Sequence, residues 1–277
     1  MLVGLISSFG QTTTYSARFG EQDRDYILYL PEDLPENAPL VFVFHGYSGS
    51  AEGTMNSFEF NSIADKNGFA VCYPEGLKDG EGNHFWQVGY KMHRDIQVDD
   101  VNFVTTLTEK LQKEHQLSSK NTFIIGFSNG GDFCNLLLCE TKGVFKAAAP
   151  IISCMMKDLY DSCQDARPTP LFLLNGTNDD ITYWEGDMED KQGYGPYLST
   201  PSMLEFRIAQ NEASLAYVNA IDSPEADDIT SIKVEKYVNK KSKNDVWMHT
   251  VYNGGHSSPE YFNLGQEIWN FFQLYVK

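Results

Sequence analysis

Apolar runs of five to seven residues recur along the chain, many rich in β-branched residues, and longer stretches with helical periodicity lie between most of them. The runs predict strands at about 25–30, 40–45, 69–73, 122–126, 146–152, 171–175, 232–238 and 246–252. Helices are predicted at about 54–67, 99–116, 129–140, 202–219 and 259–275. Runs such as Leu40-Val41-Phe42-Val43-Phe44 and Leu171-Phe172-Leu173-Leu174 show no polar alternation. A strand of that kind is buried on both faces, as in a parallel sheet covered by helices. The alternation of the two element types therefore predicts an α/β architecture, with a mostly parallel central sheet flanked by helices. Asp99 or Asp100 reads as a helix start, its carboxylate capping free backbone N–H groups, so both acids are read as structural. Lys240-Lys241-Ser242-Lys243 reads as the solvated turn of a hairpin. Met1 to Gly10 is apolar but lacks the basic flank of a signal peptide, and reads as a first strand packed on the sheet.

Chemistry enters at Gly126-Phe127-Ser128-Asn129-Gly130, between the predicted strand at 122–126 and the predicted helix at 129–140. G-x-S-x-G in a strand–turn–helix context is a nucleophile elbow: the turn lifts the serine hydroxyl above the carboxyl end of the sheet, and the glycines let strand and helix approach. A serine needs a base and an acid to act. Downstream, Gly176-Thr177-Asn178-Asp179-Asp180 follows one buried strand, and Asn253-Gly254-Gly255-His256-Ser257 follows another. Serine, acid and histidine thus occur in that order, each on a loop after a strand, where an open α/β sheet presents its functional groups. Either Asp179 or Asp180 could be the acid on this evidence. Upstream, a strand ending in His45-Gly46 is placed to turn the next N–H toward a developing oxyanion. The two donors would then be the backbone N–H groups of Tyr47 and Asn129. His45 reads as a buttress of that loop, at the edge of the substrate pocket.

These motifs resemble the esterase branch of the α/β-hydrolase fold that includes poly(3-hydroxybutyrate) depolymerases, feruloyl esterases and related carbohydrate esterases. The resemblance runs from about Arg24 to the C-terminus. It includes Arg24 to Pro31, Leu40 to Gly46, Ala64 to Pro74, Val98 to Val104, the elbow with Gly131, Gly176 to Asp179, and Gly254 to Ser257. It implies a serine carboxylesterase that needs no cofactor, with Ser128, His256 and, through the G-T-x-D motif, Asp179 as its triad. It also implies esters of hydroxycinnamic or short acyl acids on plant polysaccharide, or hydroxyalkanoate polyesters, and a secreted or periplasmic setting. Asn175 stands where such enzymes often carry histidine, and Tyr183-Trp184 where Pro-Tyr is usual, so the pocket is expected to differ in shape.

Composition narrows the partners. A chain of 277 residues that is 42% hydrophobic can bury one large core, and it reads as a single catalytic domain over residues 1–277. A formal net charge of −17 argues against nucleic acid and anionic membranes, leaving a small or polymeric ester as the expected partner. No segment approaches membrane-spanning length. Metal-ligand spacing is lacking among the five cysteines. Cys154 and Cys163 flank a short loop and could close a disulfide in an oxidising compartment, or remain thiols. Cys134 and Cys139 are poorly spaced for each other, and Cys72 reads as a small core residue. Glu185, Asp187, Glu189 and Asp190 match no calcium loop and read as a solvated acidic stretch. Three long loops, Leu77 to Asp95, Cys154 to Pro168 and Tyr183 to Thr200, carry aromatics including Tyr90, Tyr194 and Tyr197, and are expected to shape the site. Trp86 and Trp184 are expected in its wall.

Overall fold

The computed structural model describes residues 10–277, so the strand expected over Met1 to Gly10 lies outside the described residues save Gly10. Ten strands form one sheet: β1 (Gln11–Phe19), β2 (Gln22–Leu30), β3 (Leu40–Phe44), β4 (Ala70–Pro74), β7 (Thr122–Phe127), β8 (Ala147–Ile151), β9 (Leu171–Gly176), β10 (Ser214–Asp222), β11 (Ser231–Val238) and β12 (Val246–Tyr252). A short ribbon, β5 (Leu77–Lys78) with β6 (His84–Phe85), stands apart. The spatial order is β1-β2-β4-β3-β7-β8-β9-β12-β11-β10. From β4 through β12 the neighbours are parallel, and the two edges are antiparallel hairpins.

The unalternating runs behave as their sequence dictates, sending successive side chains to opposite, equally covered faces. Phe42, Phe44 and Ile124 meet α3 (Asp100–Glu114), α4 (Asn129–Glu140), α5 (Lys157–Ser162) and α6 (Thr200–Gln210) on one side. Val41, Val43, Phe123 and Ile125 meet α1 (Ala51–Phe58), α2 (Phe60–Asn67) and α7 (Leu264–Phe272) on the other. Burying these side chains on both faces is worth roughly 1.5–3 kcal/mol each before conformational entropy is subtracted. The two acids at the start of α3 divide their work. The Asp99 carboxylate accepts from Asn102 N–H at 2.9 Å as the cap. Asp100 is buried, pairs with Arg24 at 2.7 Å and accepts from Gln87 N–H at 2.8 Å. That pair ties β2 and α3 to the segment leading into the site.

The departures from the sequence reading have local causes. The helix expected at 54–67 breaks into α1 and α2 at Glu59, which sits in the left-handed region at φ +52°. The helix expected to reach residue 219 stops at Gln210, where Asn211 ends it; residues 214–219 belong to β10, an exposed edge strand. The 259–275 helix narrows to α7 plus a 3-10 turn. Strand β1 was not anticipated, because its half-solvated edge position lets Thr12, Thr13, Thr14 and Ser16 stand in it. The cysteine expectation also needs correction. Cys163 bonds to Cys139, not to Cys154, because the end of α5 lies against the end of α4 while Cys154 turns inward as a buried thiol.

This bond closes a loop with a sequence separation of 24, which corresponds to about 3.5 kcal/mol of denatured-state entropy. Cys139→Ala with Cys163→Ala should therefore lower Tm by roughly 6–12 °C. Scanning calorimetry should show the same loss when wild type is reduced, and no further loss when the double variant is.

Candidate active site

Ser128 occupies the turn from β7 to α4 with φ +52° and ψ −120°. A non-glycine residue held there stores about 1–3 kcal/mol, which the surroundings must offset. Backbone packing supplies the constraint. A Cβ on Gly126 would lie 2.0 Å from the Gly130 carbonyl oxygen, and one on Gly130 would lie 2.5 Å from that of His45. Ser128 N–H donates to Ile151 C=O at 3.0 Å, and Ser128 C=O accepts from Asp132 N–H at 2.9 Å, so strand and helix both grip the turn.

His256 reaches the serine from the loop after β12. Its Nε2 lies 2.9 Å from Ser128 Oγ and its Nδ1 lies 2.7 Å from Asp179 Oδ2. With a carboxylate facing Nδ1, the proton belongs there and the Nε2 lone pair faces the serine hydroxyl. The acid is itself held: Asp179 Oδ1 accepts from Ile181 N–H at 2.9 Å and Thr182 N–H at 2.8 Å, with its side chain 1% exposed. The acid loop and the histidine loop are stitched by Asn178 N–H to Gly254 C=O at 2.8 Å and Thr177 N–H to Val251 C=O at 3.0 Å. Gly176 permits that approach, since a Cβ on it would meet the Gly254 carbonyl at 2.3 Å. Asp180 points away. It is exposed, and only its carbonyl is engaged, by the Gln192 side chain at 3.3 Å.

On the other side of the serine, Gly46 C=O accepts from His45 Nδ1 at 2.7 Å and from Gly49 N–H at 3.0 Å. His45 Nε2 accepts from Gly76 N–H at 2.9 Å. Glu75 Oε1 also lies 3.2 Å from that nitrogen, but the Gly76 donor needs a lone pair there, so the proton belongs on Nδ1. Because C=O and N–H point in opposite directions across a trans peptide, this clamp turns Tyr47 N–H away from His45. Asn129 is locked by its side chain, whose Oδ1 accepts from Trp86 N–H at 2.8 Å and whose Nδ2 donates to Trp86 C=O at 3.1 Å. Neither Tyr47 N–H nor Asn129 N–H donates to another protein group among the described residues.

A cavity of about 380 Å³ opens onto Ser128 and His256, walled chiefly by Tyr47, Tyr90, Ile152, Cys154, Ile181, Tyr194 and Tyr197. Each of the three long loops thus contributes. Burial and the neighbouring Asp79 push the Tyr47 phenol up to about 12, and it donates to Asp79 at 2.6 Å on the rim. Three expected pocket residues do not line this cavity. Trp86 is fully buried, stacked on Phe133 at 4.8 Å, with its indole N–H on the His45 carbonyl at 3.0 Å. His45 has no exposed surface and acts through the Gly46 peptide. Trp184 faces a separate groove with Tyr183 and Met188, beyond the acid loop. A sequence cannot distinguish an aromatic that pins its loop from one that walls a site. The walls Ile152 and Ile181 were not anticipated. Ile152 is held at φ +47° just after β8, strained for a bulky residue, and nothing in the sequence marks that conformation. In the acidic stretch, Asp187 accepts from two backbone N–H groups and Asp190 pairs with Lys91 at 2.6 Å. No cluster of three metal-ligating side chains occurs among the described residues.

The chain is similar in sequence to curated relatives over most of its length. A bifunctional acetylxylan esterase/xylanase from Neocallimastix patriciarum is 27% identical over 249 residues, covering 90% of this chain and 33% of that protein. Feruloyl esterase B from Piromyces equi is 26% identical over 237 residues, covering 84% of this chain and 41% of that protein. The chain therefore spans only a third to two-fifths of the length of these relatives. Among solved structures, an acetyl xylan esterase from Aspergillus awamori superposes with a TM-score of 0.66 at 14% identity, covering 94% of this chain and 99% of that one. An S-formylglutathione hydrolase from Staphylococcus aureus gives a TM-score of 0.59 at 14% identity, covering 98% and 100%. These likenesses establish the α/β-hydrolase fold. The family model for esterase PHB depolymerases matches residues 24–162, about half of the chain, and this protein belongs to that family.

Proposed function

We propose that the protein is a serine carboxylesterase. The observation that carries this reading is the continuous hydrogen-bonded chain from Asp179 through His256 to Ser128, at 2.7 and 2.9 Å, at the mouth of a cavity. Ser128 Oγ attacks the ester carbonyl as His256 Nε2 takes its proton. Asp179 holds the imidazole in the correct tautomer and stabilises the imidazolium. The carbonyl oxygen, now negative, is received by the Tyr47 and Asn129 N–H groups, whose orientation is set before substrate arrives. His256 returns its proton to the departing alcohol, leaving an acyl-enzyme. It then takes a proton from water, whose oxygen attacks the acyl carbon, and finally protonates Ser128 as the acid leaves.

The cavity walls bear on the substrate. Four tyrosines and two isoleucines surround a space far larger than an acetyl group needs. Such walls suit an aromatic or extended acyl group, with tyrosine supplying flat apolar faces and polar tips. The relatives bear names of acetylxylan and feruloyl esterases, which supports acyl or feruloyl esters of plant polysaccharide as the substrate class. Rates on p-nitrophenyl acyl esters, methyl ferulate and polyhydroxybutyrate would separate these substrates from a polyester. Absence of turnover on every ester would overturn the reading in favour of a non-catalytic ligand-binding role.

Ser128→Ala should abolish ester turnover, lowering the rate by several orders of magnitude with the fold intact. A serine-directed phosphonate should label wild type at Ser128, as read by peptide mass spectrometry. Label on another serine, with the variant still active, would reject the assignment.

The two adjacent acids should separate sharply. Asp179→Asn should lower turnover by about three to four orders of magnitude, because the amide favours the wrong imidazole tautomer. Asp180→Asn should cost less than about tenfold, as befits an exposed side chain. Steady-state kinetics on a soluble ester checks both, and comparable losses would move the acid assignment.

A further inference from the structure

Asp132 lies one turn into α4 beyond Ser128, only 3% exposed, and has no part in the triad. Two cavity walls occupy its carboxylate. Oδ2 accepts from the Tyr90 hydroxyl, and Oδ1 accepts from Cys154 N–H at 2.7 Å. The Cys154 thiol lies 3.5 Å from Oδ2 as a further, weak donor. Tyr90 belongs to the long loop after β6 and Cys154 to the loop after β8, so one carboxyl group fastens both to the helix that carries the serine. Both residues line the cavity.

We propose that Asp132 is a positioning residue, holding Tyr90 and Cys154 against α4 and so setting the width of the cavity beside Ser128. The ester selectivity derived from this role rests on the carboxylesterase reading above. A buried carboxyl is unfavourable unless its oxygens are satisfied, and an apolar side chain would fill the same space without that penalty. Here both oxygens are satisfied by wall residues. The titratable groups facing it are Tyr90, Cys154, Cys134 and His256. Burial, reinforced by the Asp132 charge, raises the tyrosine and both thiols, which therefore stay neutral. Burial also pushes the Asp132 carboxyl up to about 6, against the opposing pull of its donors and of His256. Above that pH the carboxylate accepts from every donor. Below it the carboxyl is neutral, and both wall contacts lose their charge-assisted strength. The sign follows: the wall is complete on the alkaline side and loosens in acid.

The test compares Asp132→Asn and Tyr90→Phe with wild type on p-nitrophenyl acetate and p-nitrophenyl octanoate. Asp132→Asn should lower the octanoate-to-acetate ratio of kcat/KM about tenfold, mainly through KM. Its acid limb on octanoate should become shallower, approaching one proton where wild type shows more than one. Tyr90→Phe, which keeps the carboxylate but removes one donor, should move the ratio in the same direction by less. It also stands in should the asparagine variant fail to fold. Equal losses on both esters with an unchanged pH slope would overturn the proposal. A second readout does not depend on turnover: N-ethylmaleimide should label Cys154 at least about fivefold faster in Tyr90→Phe, which keeps the carboxylate beside the thiol, since the wall opens more often. An unchanged labelling rate would also overturn it, whereas wild type inactive on both esters, with faster labelling in the variant, would strike only the esterase reading.

Discussion

The backbone strain at Ser128 is the constraint around which the molecule is arranged. A residue at φ +52° between a strand and a helix persists only if β7 and α4 are pressed together on either side of it. That pressing requires Gly126 and Gly130, and it brings Gly130 against the His45 carbonyl. The end of β3 and the start of α4 thus become one packed unit. The same contact brings Gly46 beside the serine, where a Cβ on it would lie 3.5 Å from that of Ser128. Strain in one residue is held by the rigidity of a parallel sheet buried on both faces.

Around that unit the polar groups are oriented by other polar groups, with little left to side-chain freedom. His45 holds a carbonyl so that the next N–H turns outward. Asn129 holds the Trp86 backbone while its own N–H donates to no protein group among the described residues. Asp179 receives two backbone N–H groups before it receives the imidazole. Such groups need little reorganisation when charge develops, and electrostatic stabilisation of a transition state depends on that property. The acidic surface contributes differently: a net charge of −17 favours solubility and disfavours polyanionic partners, without deciding the chemistry.

The cavity is the least regular part. It is assembled from loops after β3, β6, β8 and β9, each contributing one to a few side chains. Two of those loops are fastened at one buried point, Asp132 to Tyr90 and Cys154, and a third is braced within itself, the Tyr197 hydroxyl accepting from Tyr183 N–H at 3.1 Å. Selectivity in such a site follows from where loops are tied to the core as much as from which residues they carry. The Cys139–Cys163 bond is a further tie, joining α4 to α5 behind the wall.

Much of this protein was legible in its sequence because local signals and buried surface agree. Runs such as Leu40 to Phe44 can only be doubly buried strands, and G-x-S-x-G between strand and helix identifies the turn where Ser128 must stand. The positions of Asp179 and His256 could be read because a loop after a parallel strand opens at the same end of the sheet. Periodicity was weakest where burial was least: β1 is a half-solvated edge strand and β10 an almost wholly exposed one, so burial imposes no regular apolar alternation on either. Only the tertiary structure decided which aromatics face the cavity. Trp86 and Tyr90 are four residues apart in one loop, yet one stacks in the core and the other walls the site. It also decided which cysteine pairs with Cys163, because a disulfide depends on Cα atoms 5.1 Å apart across two helices and not on nearness in the chain. Sequence spacing reports local geometry, whereas long-range neighbours are settled by how the covered sheet packs its helices.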